Sequence, residues 1–574
     1  MNLPFGMASS ANNPKPDVPF LTLRLNCGGR GQEYFILFFG CNDSTILLNE
    51  NEPMMWTVYL LRCSDQTLYT GITNNLEQRV KAHNEGKGAK YTRGRGPVEV
   101  VWSQTGFSKS EALKIELRIK NFSRKEKEAL IASNRLFMNK NKIELGRIDE
   151  YKEFLPLDKL YKQFLSIAGK EFVSEIGRSK NKGPILCGTF GTGKKSILLF
   201  GYPHPNEPVG SLTCLSWVKI LKKNPELLKE YTWYIVPCAD PDGARLNEGW
   251  FAGPFSIKKY VQGFYRQTNN QTEWSFPVTY KDYSFQTPTP QTKVLMKLID
   301  RVKPSIIYSL HNSGFSGAYF LLSRDLGPAF MRKVELSAKR LGIPLHKGAP
   351  EVPFAKLFKP GFIKLFGIKE EYDFIKKMQG DPLKQLVGGT SSAEYAKTLR
   401  KNAFSLVCEI PYVFDPVMSD ARKSKRKKKD AIDSMLQDFS LVRSIVWDQL
   451  KMKELNLKSV FYAITKENLA LLDSQIKTFQ TIQTTVPDVY LTNAEVFSAE
   501  VVSVFYKTLI LGELRRLLLD SPKNIQRKKN LKQIDELIDK RVQWIEDQSN
   551  VTITSISSLV ELQLTYLMEV LHAL

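Results

Sequence analysis

Histidine is scarce in this chain, with five residues in 574 positions. Any site built on imidazole must therefore draw on very few side chains. Cysteine is sparse as well. The seven cysteines, at 27, 41, 63, 187, 214, 238 and 408, form no C-x-x-C pair and no dense cluster. That spacing excludes a disulfide scaffold and a cysteine-rich metal ribbon, and it points to a reducing, cytoplasmic compartment. Long apolar runs are missing: stretches such as Thr508-Leu-Ile-Leu511 fall far short of a membrane span. No basic segment leads into an apolar core near residue 1, so no secretory signal of the usual form is expected. Acidic residues are too few to balance the basic ones, 59 against 82, which leaves a net charge of +23 and makes polyanions expected partners. A hydrophobic share of 42% and 11% aromatics argue against general disorder, and the length predicts several domains.

Two of the five histidines terminate apolar runs. Ile197-Leu-Leu-Phe200 reads as a buried strand, and Gly201-Tyr-Pro-His204-Pro-Asn-Glu207-Pro-Val-Gly210 follows at its end. A His and a Glu three residues apart on such a turn can face one divalent ion; a solvated turn is the plainer alternative. A second run, Pro304-Ser-Ile-Ile-Tyr-Ser-Leu310, leads to His311, and a third, Phe404-Ser-Leu-Val-Cys408, delivers Glu409. Two imidazoles and a carboxylate suit a zinc ion that keeps one position for water.

This assembly resembles the zinc carboxypeptidases of the M14 type. Pro237-Cys-Ala-Asp-Pro-Asp-Gly243 is similar to that family's N-P-D-G segment, with Asp240 where Asn is usual. Gly388-Gly-Thr-Ser is similar to the stretch that precedes its catalytic glutamate. The resemblance spans about residues 150 to 418. It implies zinc held by His204, Glu207 and His311, with Glu409 as the base that takes the water's proton. It also implies arginines that bind a substrate carboxylate. The usual Asn-Arg pair has no clear match, which leaves Arg245 and Arg266 as candidates. Amidase, deacylase or cell-wall-peptide activity with the same zinc chemistry stays open beside true carboxypeptidase action.

Nearer the start, residues 1–53 carry no motif and read as a poorly ordered leader. Met54 and Met55 directly precede a complete module, so translation starting there is an expectation. Thr57-Val-Tyr59-Leu-Leu-Arg62 and Leu68-Tyr69-Thr-Gly71-Ile72 flank the polar turn Ser64-Asp65-Gln66, which predicts a β-hairpin. A helix capped by Asn74 or Asn75 follows, then a strand Val98–Trp102 and a helix Lys109–Lys120. Over residues 55–132 this resembles the small stand-alone bacterial GIY-YIG nucleases, with Thr57-Val58-Tyr59 and Tyr69-Thr70-Gly71 in place of the two name-giving tripeptides. The resemblance implies Glu116 as ligand for Mg²⁺ or Mn²⁺, Tyr59 and Tyr69 acting on the attacking water, and Arg79 stabilising phosphate charge. His83 and Tyr91 would complete the site. Each residue also has an ordinary role to play: Glu116, for example, could simply pair with Lys120. Residues 54–131 hold 14 Lys and Arg against 8 Asp and Glu, which suits phosphate contacts with nucleic acid.

The expected organisation is a multidomain α/β protein. A small α+β nuclease-like module occupies 54–133. An α/β/α mixed-sheet zinc peptidase domain follows over 134–420, beginning with a linker rich in Asn and Lys. A basic linker and helical domain take up 421–574. Gly188-Thr-Phe-Gly-Thr-Gly193-Lys-Lys-Ser196 mimics a phosphate-binding loop, but Lys195 replaces the Ser or Thr that holds magnesium and a strand follows, so a hairpin turn is expected. Arg422–Lys429 reads as a solvated linker. The helical end is expected to pack on the peptidase domain or to dimerise. The sequence thus predicts a peptide or amide hydrolase fused to a DNA endonuclease. The alternatives are a peptidase with a DNA-binding adaptor, an inactive peptidase fold used as a platform, and a joining of neighbouring genes with Met138 as a start.

Overall fold

The computed structural model describes residues 56–107, 109–133, 145–146, 148–267, 271–348, 350, 352, 354–377, 380–485 and 489–574. The leader and the Asn- and Lys-rich linker fall outside them. In the N-terminal module, Trp56–Arg62 is the central strand, paired antiparallel with Leu68–Thr73 and with Glu99–Phe107. Asp65 fixes the turn by accepting from the Thr67 amide and hydroxyl, at 3.1 and 2.6 Å. Strand alternation sends Val58 and Leu60 to one face, under the helices Lys109–Lys120 and Arg124–Ser133. Tyr59 and Leu61 go to the other, against Tyr69 and the helix Leu76–Asn84. Asn75 caps that helix, its side chain accepting from the Gln78 amide.

The larger part is organised on a nine-stranded sheet. Its order is Leu357–Lys359, Phe362–Lys364, Tyr319–Leu322, Phe404–Glu409, Ile306–Ser309, Lys195–Phe200, Tyr231–Val236, Pro184–Phe190, Val173–Arg178. The four strands from Phe404–Glu409 to Tyr231–Val236 are parallel neighbours. Their sequences are continuously apolar because both faces are covered. Ile197 and Leu199 pack on one side with the helix Val209–Lys223, while Leu198 and Phe200 pack on the other with Leu295 and Leu298 of the helix Pro290–Val302.

Two expectations are corrected. The loop after Phe190 is no hairpin turn: Pro184–Phe190 and Lys195–Phe200 do not pair, because Tyr231–Val236 lies between them. The loop crosses the start of that strand, where the Thr232 hydroxyl donates to Gly193 O at 2.7 Å. A short crossover and a short hairpin look alike in sequence when the inserted strand comes from elsewhere. The basic run is no solvated linker either. Lys423–Lys427 is a strand paired with Tyr490–Thr492, and Lys428, which begins the next helix, is buried. Arg426 is neutralised by Glu500 at 2.6 Å, a partner too distant in sequence for a charge pattern to show.

The helical region is an excursion from the sheet domain. The chain leaves after Pro411–Phe414 and returns at Thr552–Ile553, and these two strands pair, Val413 opposite Ile553. Between them run the helices Lys428–Leu450, Val460–Thr485, Ser503–Asp520 and Ile525–Asp547. The final helix, Ile556–Ala573, packs back on Val209–Lys223 and Pro328–Arg340. One apolar cluster runs unbroken from Phe154 to Val570, so the packing expected between the helical end and the peptidase domain is present. The expected boundary at 420/421 does not divide the core. Among the described residues no helix is long and apolar enough to cross a membrane.

Candidate functional site

Three adjacent parallel strands deliver the larger site from their carboxyl ends, where open α/β sheets bind ligands. Lys195–Phe200 leads into the turn that carries His204 and Glu207, and Ile306–Ser309 leads to His311. Glu409 is the last residue of Phe404–Glu409. The turn is pinned on both sides: Tyr412 donates to Asn206 O at 2.9 Å and the Asn206 side-chain amide donates to the Tyr260 hydroxyl at 3.1 Å. His311 is held through its ring by Ser309, with Nε2 2.8 Å from Oγ. Its backbone carbonyl accepts from Gln563 of the final helix at 2.7 Å.

Ligand atoms of His204, Glu207 and His311 lie within 4.8 Å of one another. His311 Nδ1 is 3.2 Å from Glu207 Oε2 and 3.5 Å from Glu409 Oε1. The three are 2%, 1% and 3% exposed, and Glu409 is the most open of the four at 8%. His204 Nδ1, Glu207 Oε2 and His311 Nδ1 are buried and accept or donate no hydrogen bond. Buried polar atoms are otherwise nearly always paired, so three convergent ones on a His, Glu, His set fit a zinc ion. Burial, reinforced by the positive charge of Arg266 and by His311, holds the His204 pKa well below the ordinary imidazole range. His204 is therefore neutral, as a metal ligand must be.

The two arginine candidates separate. Arg266 is buried; its guanidinium donates to Glu207 Oε1 at 3.3 Å and to Gln271 Oε1 at 3.2 Å. Arg245 is exposed and forked onto Asp158, at 2.6 and 3.2 Å, away from the cluster. It extends from the helix Pro241–Asn247, which Asp240 caps by accepting from the Gly243 amide. Sequence reasoning missed Glu273, Glu513 and Gln563. Glu273 Oε1 accepts from the Ser392 amide and hydroxyl at 3.2 and 2.8 Å, and burial pushes its carboxyl up to about 7. The Gly388-Gly-Thr-Ser stretch is tied to the same segment, the Gly389 amide donating to Trp274 O at 2.8 Å. None of these residues sits at a strand end beside another site residue, so no local signal marked them.

The second candidate site lies in the N-terminal module and collects all its expected side chains except Glu116 by direct contact. The Tyr59 hydroxyl is 3.0 Å from His83 Nε2 and accepts from Arg79 Nε at 3.3 Å. His83 Nδ1 is 2.7 Å from the Thr92 hydroxyl. Tyr69 sits beside His83, ring centroids 5.2 Å apart, and stacks on Tyr91 at 5.9 Å. Gly71 leaves the room this needs, since a Cβ there would come within 2.5 Å of the Tyr59 hydroxyl. Burial raises the Tyr59 pKa, the Arg79 hydrogen bond opposing it, and burial lowers that of His83, followed by the charge of Arg79. Glu116 is close enough to act on the charge of Tyr59, and it also pairs with Lys120 at 3.0 Å, so its ordinary role is realised too.

Comparison with known proteins divides the chain the same way. Residues 55–129 match the GIY-YIG catalytic domain model and residues 170–316 match the zinc carboxypeptidase model. A UPF0213 protein of Oceanobacillus iheyensis is 61% identical over 74 residues, which is 13% of this chain and 86% of that protein. The solution structure of a UPF0213 protein from Bacillus halodurans is 46% identical, covering 14% of this chain and 85% of that one, with a TM-score of 0.11. The crystal structure of a metallo-carboxypeptidase from Burkholderia cenocepacia is 14% identical over 44% of this chain and 60% of its own, with a TM-score of 0.24.

Proposed function

We propose that this chain, which belongs to the GIY-YIG family through its N-terminal module and carries an M14 zinc carboxypeptidase domain, is a hydrolase with two centres. One would cut a peptide or related amide with zinc, the other nucleic acid with magnesium or manganese. The observation that carries the first is the convergence of three buried, unpaired ligand atoms from His204, Glu207 and His311.

Those three residues would hold the metal. Zinc, when bound, brings the pKa of a coordinated water down to about 7 and polarises a scissile carbonyl. Glu409, beside the ligands and the most open of the four, takes the proton from water and hands it to the leaving amine. Arg266 offers its charge to the oxygen that becomes negative, or to a substrate carboxylate, while it steadies Glu207. Of the two arginines that the sequence offers for this role, Arg266 is the one favoured by its contact with Glu207. The described cysteines, Cys63, Cys187, Cys214, Cys238 and Cys408, are all free and buried, in keeping with a reducing cytoplasm. Metal analysis of the purified full-length chain tests the proposal: about one zinc per chain, lost in His311→Ala, supports it, and no zinc in the wild type ends it.

In the nuclease module Arg79 and His83 act on one hydroxyl, that of Tyr59. A neutral His83 can receive its proton while Arg79 stabilises the oxygen left behind. Glu116 would hold the divalent ion. Its pairing with Lys120 favours a second reading, in which the module binds DNA for the peptidase without cutting it. Glu116→Ala separates the two: nicking lost in the variant supports the nuclease, and residual nicking that the substitution leaves unchanged leaves only the adaptor.

A further inference from the structure

The helical excursion reaches the hydrolytic centre through one carboxylate. Glu513, on the helix Ser503–Asp520, accepts the backbone amide of Arg266 on Oε1 at 3.1 Å and the Asn468 side-chain amide on Oε2 at 2.7 Å. Glu513 is 1% exposed and Arg266 3%. About one helical turn further on, Arg516 donates to the carbonyls of Gly263 and Phe264 at 2.8 and 3.0 Å. An acid thus meets an N–H and an arginine meets two carbonyls along four consecutive residues of the sheet domain. The fit is close because of Gly512, where a Cβ would stand 1.9 Å from Val261 O. At its other end Arg266 touches the ligand set, 3.3 Å from Glu207.

We propose that the helical excursion forms part of the hydrolytic centre, and that Glu513 is a positioning residue that acts through Arg266 on Glu207. The proposal rests on the zinc hydrolase reading above. A series of bonds runs Asn468, Glu513, Arg266, Glu207, each with its donor facing its acceptor. Groups that orient a ligand from outside the coordination sphere typically change metal affinity or activity ten- to a hundredfold when removed.

The test is zinc affinity of the full-length chain, measured by competition with a chromophoric chelator, beside kcat and KM on a peptide substrate. Glu513→Leu weakens zinc binding about tenfold or more and lowers kcat more than it raises KM. Glu513→Gln stays close to wild type, since its amide oxygen still accepts from Arg266 when Asn468 turns its own oxygen inward. Arg541→Met, which breaks a buried pair with Asp438 in the same bundle, leaves zinc affinity unchanged. If Glu513→Leu does not fold, Asn468→Ala carries the test, with zinc binding weakened several-fold. Unaltered affinity in Glu513→Leu or in Asn468→Ala overturns the proposal, as does an equal loss in Arg541→Met. A wild type that binds zinc while Glu513→Leu binds it equally well removes the brace alone. A wild type that binds none removes the hydrolase reading and the brace with it.

Discussion

His311 Nδ1 stands 3.2 Å from Glu207 Oε2, in a buried cluster. Neither atom has a hydrogen-bond partner, nor has the buried His204 Nδ1 beside them, and a cation held between the three would supply what the protein does not. Stripping the metal with a chelator should therefore lower the thermal midpoint by about 5 °C or more, with recovery on adding zinc back. Thermal scans with and without chelator check this; identical midpoints would mean that the atoms hold no ion.

Glu409 and the ligands should part company under mutation. Glu409→Gln keeps its zinc and loses about 10²–10⁴ in kcat, the usual share of a general base. His311→Ala loses zinc and activity together. Arg266→Ala impairs both, whereas Arg245→Ala changes neither, its exposed pair with Asp158 contributing less than about 1 kcal/mol to stability. Metal content measured beside peptide hydrolysis gives all four results.

In the nuclease module the sharpest probe is steric. Gly71→Ala drives a methyl against the Tyr59 hydroxyl and should cut nicking of duplex DNA about a hundredfold, while binding, set by phosphate contacts, changes little. A gel assay for nicking beside fluorescence anisotropy for affinity separates the two effects. Equal losses in both would show that the module had merely unfolded.

Lys507 carries a pH signature. Burial, opposed by Asp438 and reinforced by Arg541, pushes its ammonium down to about 7, against about 10.4 in an unfolded chain. The folded value is the lower one, so the cost to stability is full below pH 7, shrinks as pH rises from there, and is gone above about 10.5. Lys507→Met should gain roughly 3 kcal/mol at pH 7, after losing the bond to Gln475, and progressively less toward pH 10. Urea midpoints at pH 7 and 9.5 test the sign.

What the sequence disclosed follows from where each signal resides. The helix Leu76–Asn84 begins after the expected cap Asn75, and Lys109–Lys120 keeps its expected bounds, because those cues are local. His204, Glu207, His311 and Glu409 were legible because each follows an apolar run, and strand ends are where an α/β sheet presents its ligands. Arg245 and Arg266 could not be told apart, since nothing local distinguishes an arginine that meets Asp158 at the surface from one that turns inward. Glu513 and Gln563 were invisible, lying in regularly patterned helices far along the chain. The basic run misled for a related reason: a charge reads as solvated until its distant partner, here Glu500, is known.

The pairing of Pro411–Phe414 with Thr552–Ile553 bears on the order of synthesis. A nascent chain contains every expected zinc ligand and its base once Glu409 has been made, but not the Glu513 that holds Arg266 or the Gln563 that holds His311. At 5–20 residues per second the ribosome needs on the order of ten seconds to supply them. For most of that interval the sheet edge at Val413 waits for Ile553, so the unfinished polypeptide carries the parts of the proposed zinc site before they are braced.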